Sequence, residues 1–201
     1  MVQNTEIKKR GRPRAYDPDL ALAKATDAFW ETGYAAASLD ALSAATGMNR
    51  PSLYAAFGDK AALYQAALER YRDFGRRSMA KALAAPTLRE SLTRFYAGGI
   101  DIYLGGGPRG CFLIGSGLSQ AAADPAIRDT VAAGVHELDA GLAERLTQAK
   151  AAGELPASAD PVALARVVSG MLNALAVRAR LGESREQLEA LAATTIDLVC
   201  C

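Results

Sequence analysis

Apolar residues along this chain recur every three or four positions and almost nowhere alternate one by one, so the pattern reads as helices from end to end. Leu20, Ala23, Ala28 and Phe29 form the first stripe and predict a helix over Asp17–Thr32, with Asp17 as N-cap, Pro18 in the first turn and Gly33 as the stop. Two short helices follow. Ser38 caps one carrying Leu39, Leu42 and Ala45, Gly47 stands where a left-handed residue closes a helix, and Met48 plugs the corner. Asn49 caps the other, with Pro51 in its unbonded first turn and Leu53 and Phe57 four apart on its inner face.

Beyond Asp59, a long helix is expected from Lys60 towards Ala84, carrying Leu63, Ala66, Ala67, Phe74 and Met79 and stopped by Pro86. Thr87 to Leu104 carries Leu88, Leu92, Phe95, Tyr96, Ile100 and Tyr103. A short helix opens at Gly110 and ends near Ala123. Asp124-Pro125 starts a long one to about Ala152, Asp160-Pro161 another to about Leu181, and Ser184 caps the last. The fold class is therefore all-α. Scarce Val/Ile/Thr-rich alternation and abundant alanine and leucine agree with it.

The two short helices joined by a glycine-containing turn have the proportions of a helix-turn-helix, whose second member enters the major groove of B-DNA. Its outward positions suit that role. Arg50 can donate to guanine edges or phosphate, Asn49 can read adenine, and Ser52 and Tyr54 offer hydroxyls to phosphate oxygens.

From Phe29 to Lys60, F-W-E-T-G-Y-A-A-A-S-L-D-A-L-S-A-A-T-G-M-N-R-P-S-L-Y-A-A-F-G-D-K resembles the DNA-binding segment of the TetR family of bacterial regulators. The aromatic-x-x-x-Gly-Tyr run, the T-G-M turn, S-L-Y and Phe-x-x-Lys carry the resemblance. It implies an N-terminal three-helix bundle with the helix-turn-helix, a larger C-terminal helical domain for ligand binding and dimerisation, and phosphate contact by Lys60. The DNA-binding set is then Ser38, Asn49, Arg50, Pro51, Ser52, Tyr54 and Lys60. Ala56 departs from the pattern, standing where many members carry a His or Tyr that touches the DNA backbone. The expected organisation is a basic arm over 1–14, a DNA-binding domain over 15–60 and an effector-binding and dimerisation domain over 61–201.

Charge sharpens this picture. The net +1 hides an arm with Lys8, Lys9, Arg10, Arg12 and Arg14 against Glu6 alone, while residues 15–60 hold three cations against six acids. Attraction for phosphate is thus concentrated in the arm and a few placed cations. The arm's K-R-G-R-P-R resembles an AT-hook, in which Gly11 lets the backbone approach the floor of a narrow minor groove and Pro13 keeps the tail extended. Arg10, Arg12 and Arg14 join the DNA-binding candidates. An architectural, A·T-biased DNA binder is the alternative function this arm supports.

Other features subtract. No apolar stretch reads as membrane-spanning and the N-terminus lacks a signal-peptide core, so the cytoplasm is expected. Gly105–Gly110 lacks the Lys-Ser/Thr of a phosphate loop, and one histidine, His136, cannot build a metal site. No cofactor, metal or catalytic residue is expected. Cys111 admits two readings: a small core filler, or a thiol sensor whose pKa is lowered by Arg109 and a helix start.

The function expected is a ligand-responsive repressor, binding a palindromic operator as a homodimer through its last two helices and released by an apolar or aromatic small molecule. Phe95, Tyr96, Tyr103, Cys111, Phe112 and Met171 are the candidate pocket residues.

Overall fold

The computed structural model describes residues 16–200; Arg10, Arg12, Arg14 and the rest of the arm, with Cys201, lie outside the described residues. The described residues hold helices α1 (Pro18–Ala36), α2 (Leu39–Thr46), α3 (Arg50–Phe57), α4 (Lys60–Leu83) and α5 (Leu88–Leu104). A π-helical turn, Leu113–Gly117, leads into α6 (Leu118–Ala121), followed by α7 (Pro125–Ala151), α8 (Pro161–Arg180) and α9 (Arg185–Val199).

Capping chemistry sets these boundaries. The carboxylates of Asp17, Asp124 and Asp160 each accept bonds from two backbone N–H groups of the helix they start, and a proline occupies the first turn behind each. Ser184 closes a full capping box with Gln187.

Some expectations shift. α1 runs past Gly33 to Ala36, with Gly33 itself non-helical (φ 77°, ψ 166°), so the helix kinks there instead of stopping. Leu20 and Phe74, placed on inner stripes by the sequence pattern, are exposed. In α1 the buried positions are Ala21, Ala25, Thr26 and Phe29, because small residues let the backbones of α1 and α4 approach while Leu20 points away.

Two apolar clusters fill the molecule. One lies among α5, α7, α8 and α9 with the end of α4, built from residues such as Leu92, Tyr96, Leu142, Leu146, Leu175 and Leu188. The other gathers α1, α2, α3 and the first half of α4, and it also takes in Phe112, Leu113, Ile127 and Val131. The core of the N-terminal bundle therefore does not close at residue 60. It continues along α4 and receives side chains from beyond residue 110.

α8 is long and apolar enough to cross a membrane by length and composition, which corrects the expectation that no stretch is. Its composition has a local reason. One side packs against α5, α7 and α9. On another, Val167, Val177 and Leu181 are exposed, and the small Ala163, Gly170 and Ala174 share that side at helical spacing.

Candidate nucleic-acid interface and a cavity behind it

The α2–α3 unit is held by short-range bonds that leave one face free. Ser38 Oγ accepts from Ala41 N at 3.1 Å, and Asn49 Oδ1 accepts from Ser52 N at 2.9 Å. Between the helices Gly47 is left-handed (φ 71°), and Thr46 Oγ1 donates to the Leu42 carbonyl at 2.7 Å while accepting from Met48 N at 3.3 Å. Leu42, Met48 and Leu53 are buried beneath the turn, and this fixes the direction in which α3 projects.

Asn49, Arg50, Pro51 and Tyr54 are exposed and Ser52 is partly so, all on the first turns of α3. The Arg50 guanidinium lies 2.6 Å from Asp40 Oδ1, both side chains being more than half exposed. Asp40 Oδ1 also accepts from Arg50 Nε at 3.0 Å, so the pair is joined by two bonds. Ser38 is committed to its cap through Oγ.

Lys60 opens α4, where Asp59 Oδ1 accepts from Ala62 N at 2.8 Å. Its Nζ sits 4.5 Å above the ring centroid of Tyr34, an arrangement that positions a cation without neutralising it. Tyr34 is the end of an aromatic chain. Tyr34 packs on Tyr64 at 4.9 Å between centroids, Tyr64 meets Phe112 edge-on at 5.8 Å, and Phe112 meets Tyr71 edge-on at 5.8 Å. Trp30 closes the group against Tyr71 at 5.0 Å.

Tyr71 lies at the wall of an open cavity of about 120 Å³ between α4, α5, α7, α8 and the π turn. Phe95, Tyr103, Cys111, Met79 and Leu172 line it with Tyr71. Of the six sequence-derived pocket residues the structure brings Phe95, Tyr103 and Cys111 here and leaves Tyr96, Phe112 and Met171 out. Tyr96 follows Phe95 by one residue and so turns about 100° round α5; its hydroxyl donates to the Val168 carbonyl at 3.1 Å inside the core. Phe112 is consumed by the aromatic chain. Met171 packs against the core, and its neighbour Leu172 takes the wall.

The setting imagined for Cys111 is also corrected. Arg109 does not face the thiol; its Nη2 bonds Asp27 Oδ1 at 2.6 Å and its guanidinium stacks 4.1 Å above the Trp30 ring. Burial pushes the Cys111 thiol up from its ordinary value, against smaller opposing effects of the Tyr71 hydroxyl, which donates to Sγ at 3.5 Å, and of nearby backbone N–H groups. A raised thiol is mostly protonated at neutral pH and a poor nucleophile. Replacing Cys111 with Ser should therefore leave DNA release by electrophiles unchanged, measured as loss of fluorescence anisotropy of a labelled site. A release that disappears with the thiol would reinstate the sensor.

Sequence reasoning missed the joint that Arg109 makes. Trp30 Nε1 in α1 donates to the Arg109 carbonyl at 3.3 Å, and Arg180 Nη1 in α8 donates to the same oxygen at 3.0 Å. One residue of the glycine-rich loop thus ties the N-terminal bundle to the α8 side of the body. The only prior signal was the loop's position before Cys111; a separation of 79 residues from Trp30 leaves no trace in spacing. Arg109→Ala should cost about 1–3 kcal/mol through the lost stacking and charge-assisted bond. It should also speed hydrogen exchange in Pro18–Trp30 while the amides of α5 hold.

Comparison with known proteins agrees with this geometry. Residues 21–67 match the domain described as bacterial regulatory proteins, tetR family, and residues 90–195 match the tetracyclin repressor-like C-terminal domain. The HTH-type transcriptional repressor ComR of Escherichia coli (strain K12) is 34% identical over 194 residues, covering 95% of this chain and 92% of that protein. The HTH-type transcriptional repressor BdcR of the same organism is 29% identical over 202 residues, covering 96% and 94%. Among solved structures, a cysteine mutant of the TetR family transcriptional regulator CifR, complexed with 26 bp of double-strand operator DNA, is 34% identical with a TM-score of 0.82, covering 92% of this chain and 98% of that one.

Proposed function

The chain belongs to the TetR family of bacterial regulators, and from that premise we propose that it is a homodimeric repressor that leaves its operator when a small apolar molecule fills the cavity behind α4. It is a helix-turn-helix DNA-binding protein, and its regulation of transcription is the property its relatives share. The observation that carries the reading is the pairing of an exposed recognition face on α3 with a cavity whose wall includes α4, the helix that Lys60 opens.

We assign Asn49, Arg50, Ser52 and Tyr54 to bases and phosphates in the major groove, Lys60 to phosphate, and Arg10, Arg12 and Arg14 to the adjacent minor groove. The twin protomer docks on the apolar and small residues of α8 and on α9, where Val167, Val177, Leu181 and Leu198 are exposed. One recognition helix buries too little to be specific, and a two-fold dimer doubles its contacts on a palindrome. Such a regulator acts where the chromosome is, in the cytoplasm, and we assign it no catalytic role.

Effector binding works through differential affinity for two spacings of the recognition helices. Filling the cavity moves α4 against α5 and α7, and the aromatic chain from Tyr71 to Tyr34 carries that displacement to the α1 side of the DNA-binding bundle. The test is a mobility shift with DNA flanking the protein's own gene, titrated with a panel of small apolar compounds. Release by one compound class, abolished when Gly99→Leu narrows the cavity wall, is expected. Release that persists in this variant would remove the cavity from the mechanism.

A further inference from the structure

The cavity contains a feature that an apolar lining alone does not require. Tyr103 is only 4% exposed and lines the cavity, yet its hydroxyl has no hydrogen-bond partner among the described residues. That hydroxyl is not sealed into the core, and a phenol that opens onto a largely apolar space with no protein partner is left to donate to a ligand. By contrast, the other phenol on this wall, Tyr71, spends its hydrogen on Cys111 Sγ. Burial also pushes the Tyr103 hydroxyl well above its ordinary pKa, so it remains a donor over the whole physiological range.

The charges at the cavity are already matched. Arg72 pairs with Glu137 at 3.4 Å and Arg76 with Asp73 at 3.0 Å, so no lining cation is left to neutralise an anionic ligand. An anion entering would have to break one of these pairs or sit uncompensated against Phe95 and Leu172, at a high desolvation cost.

We infer that Tyr103 is the polar anchor of the cavity and that its ligand is a neutral, largely apolar molecule with one hydrogen-bond-accepting oxygen, such as a ketone or aldehyde carbonyl, placed at the Tyr103–Cys111 end. This rests on the cavity being the effector site and adds the chemistry it selects. The lining fits a small apolar body, and Tyr103 fixes its orientation. The bond is reversible and uses the thiol only as a wall.

The experiment is calorimetric titration of the full-length dimer with matched probes: acetophenone against ethylbenzene, 2-acetylnaphthalene against 2-ethylnaphthalene, and benzoate as the charged counterpart. Tyr103→Phe keeps the ring and removes the hydroxyl. It should cut the ketone-to-hydrocarbon affinity ratio about tenfold and leave hydrocarbon affinity within about twofold, which also shows that the variant is folded. Benzoate should bind more weakly than acetophenone in both proteins. An unchanged ratio, benzoate binding more tightly than the ketone, or no binding of any probe to the wild type would each overturn the inference. The same probes added to the protein bound to labelled operator separate the two claims. Selective ketone binding without release sustains the anchor and removes the effector role, whereas release with no ketone preference sustains the effector role and removes the anchor.

Discussion

A dimer carrying Arg50→Ala in both protomers should lose operator affinity by roughly a hundredfold or more, because each half-site forfeits a contact worth about a factor of ten and symmetry counts the loss twice. The fold should be untouched. Arg50 and its partner Asp40 are both exposed, so the substitution uncovers no core and leaves no buried charge unpaired. Anisotropy titrations against the operator and against scrambled DNA separate two forms of the contact. If Arg50 reads a guanine edge with its planar fork, specific affinity falls while scrambled-DNA affinity barely changes, and Arg50→Lys fails to rescue. If it touches phosphate alone, both affinities fall together and lysine restores most of the loss.

Phe112→Ala should be the most damaging single change to the molecule itself. Its ring is fully buried and lies within 6.1 Å, centroid to centroid, of Trp30, Tyr64 and Tyr71, which belong to α1 and α4. Removing it leaves a cavity at the seam between the DNA-binding bundle and the body. The cost is about 3–5 kcal/mol, a fall in melting temperature of roughly 6–20 °C for a chain of this size. Phe112→Leu restores volume without edge-to-face contacts and should recover more than half. A melting curve for Phe112→Ala within a degree or two of the wild type would show that the seam contributes little.

The parts of this molecule legible in its sequence are those that local chemistry decides. Asp-Pro pairs announced three helix starts, Ser38, Asn49, Asp59 and Ser184 announced four more, and each caps its helix through a side-chain oxygen. The exposed face of α3 was legible for the same reason. When Leu53 is buried at a helix's inner side, Arg50 and Tyr54 must point elsewhere.

What could not be read off was convergence. Neighbouring residues on a helix differ by about 100° in direction, so a stretch that reaches the cavity can present a different side chain to it, as α8 presents Leu172 and not Met171. Proximity along the chain pairs Arg109 with Cys111, whereas the fold turns its side chain to Asp27 and Trp30. The short helix expected between Gly110 and Ala123 is present as the π turn Leu113–Gly117 followed by α6, and nothing in the residue pattern distinguishes the π turn from ordinary helix.

Everything functional here depends on two α3 helices, one from each protomer, reading DNA at a fixed separation. Footprinting the full-length protein on the DNA flanking its own gene tests that claim most directly. Two protected, inverted half-sites are expected, their centres about one helical turn, or a whole multiple of it, apart, with protection weakened at both when Arg50 is removed. Protection spread over A·T-rich tracts without symmetry, and indifferent to Arg50→Ala, would contradict it and leave the basic arm as the element that binds.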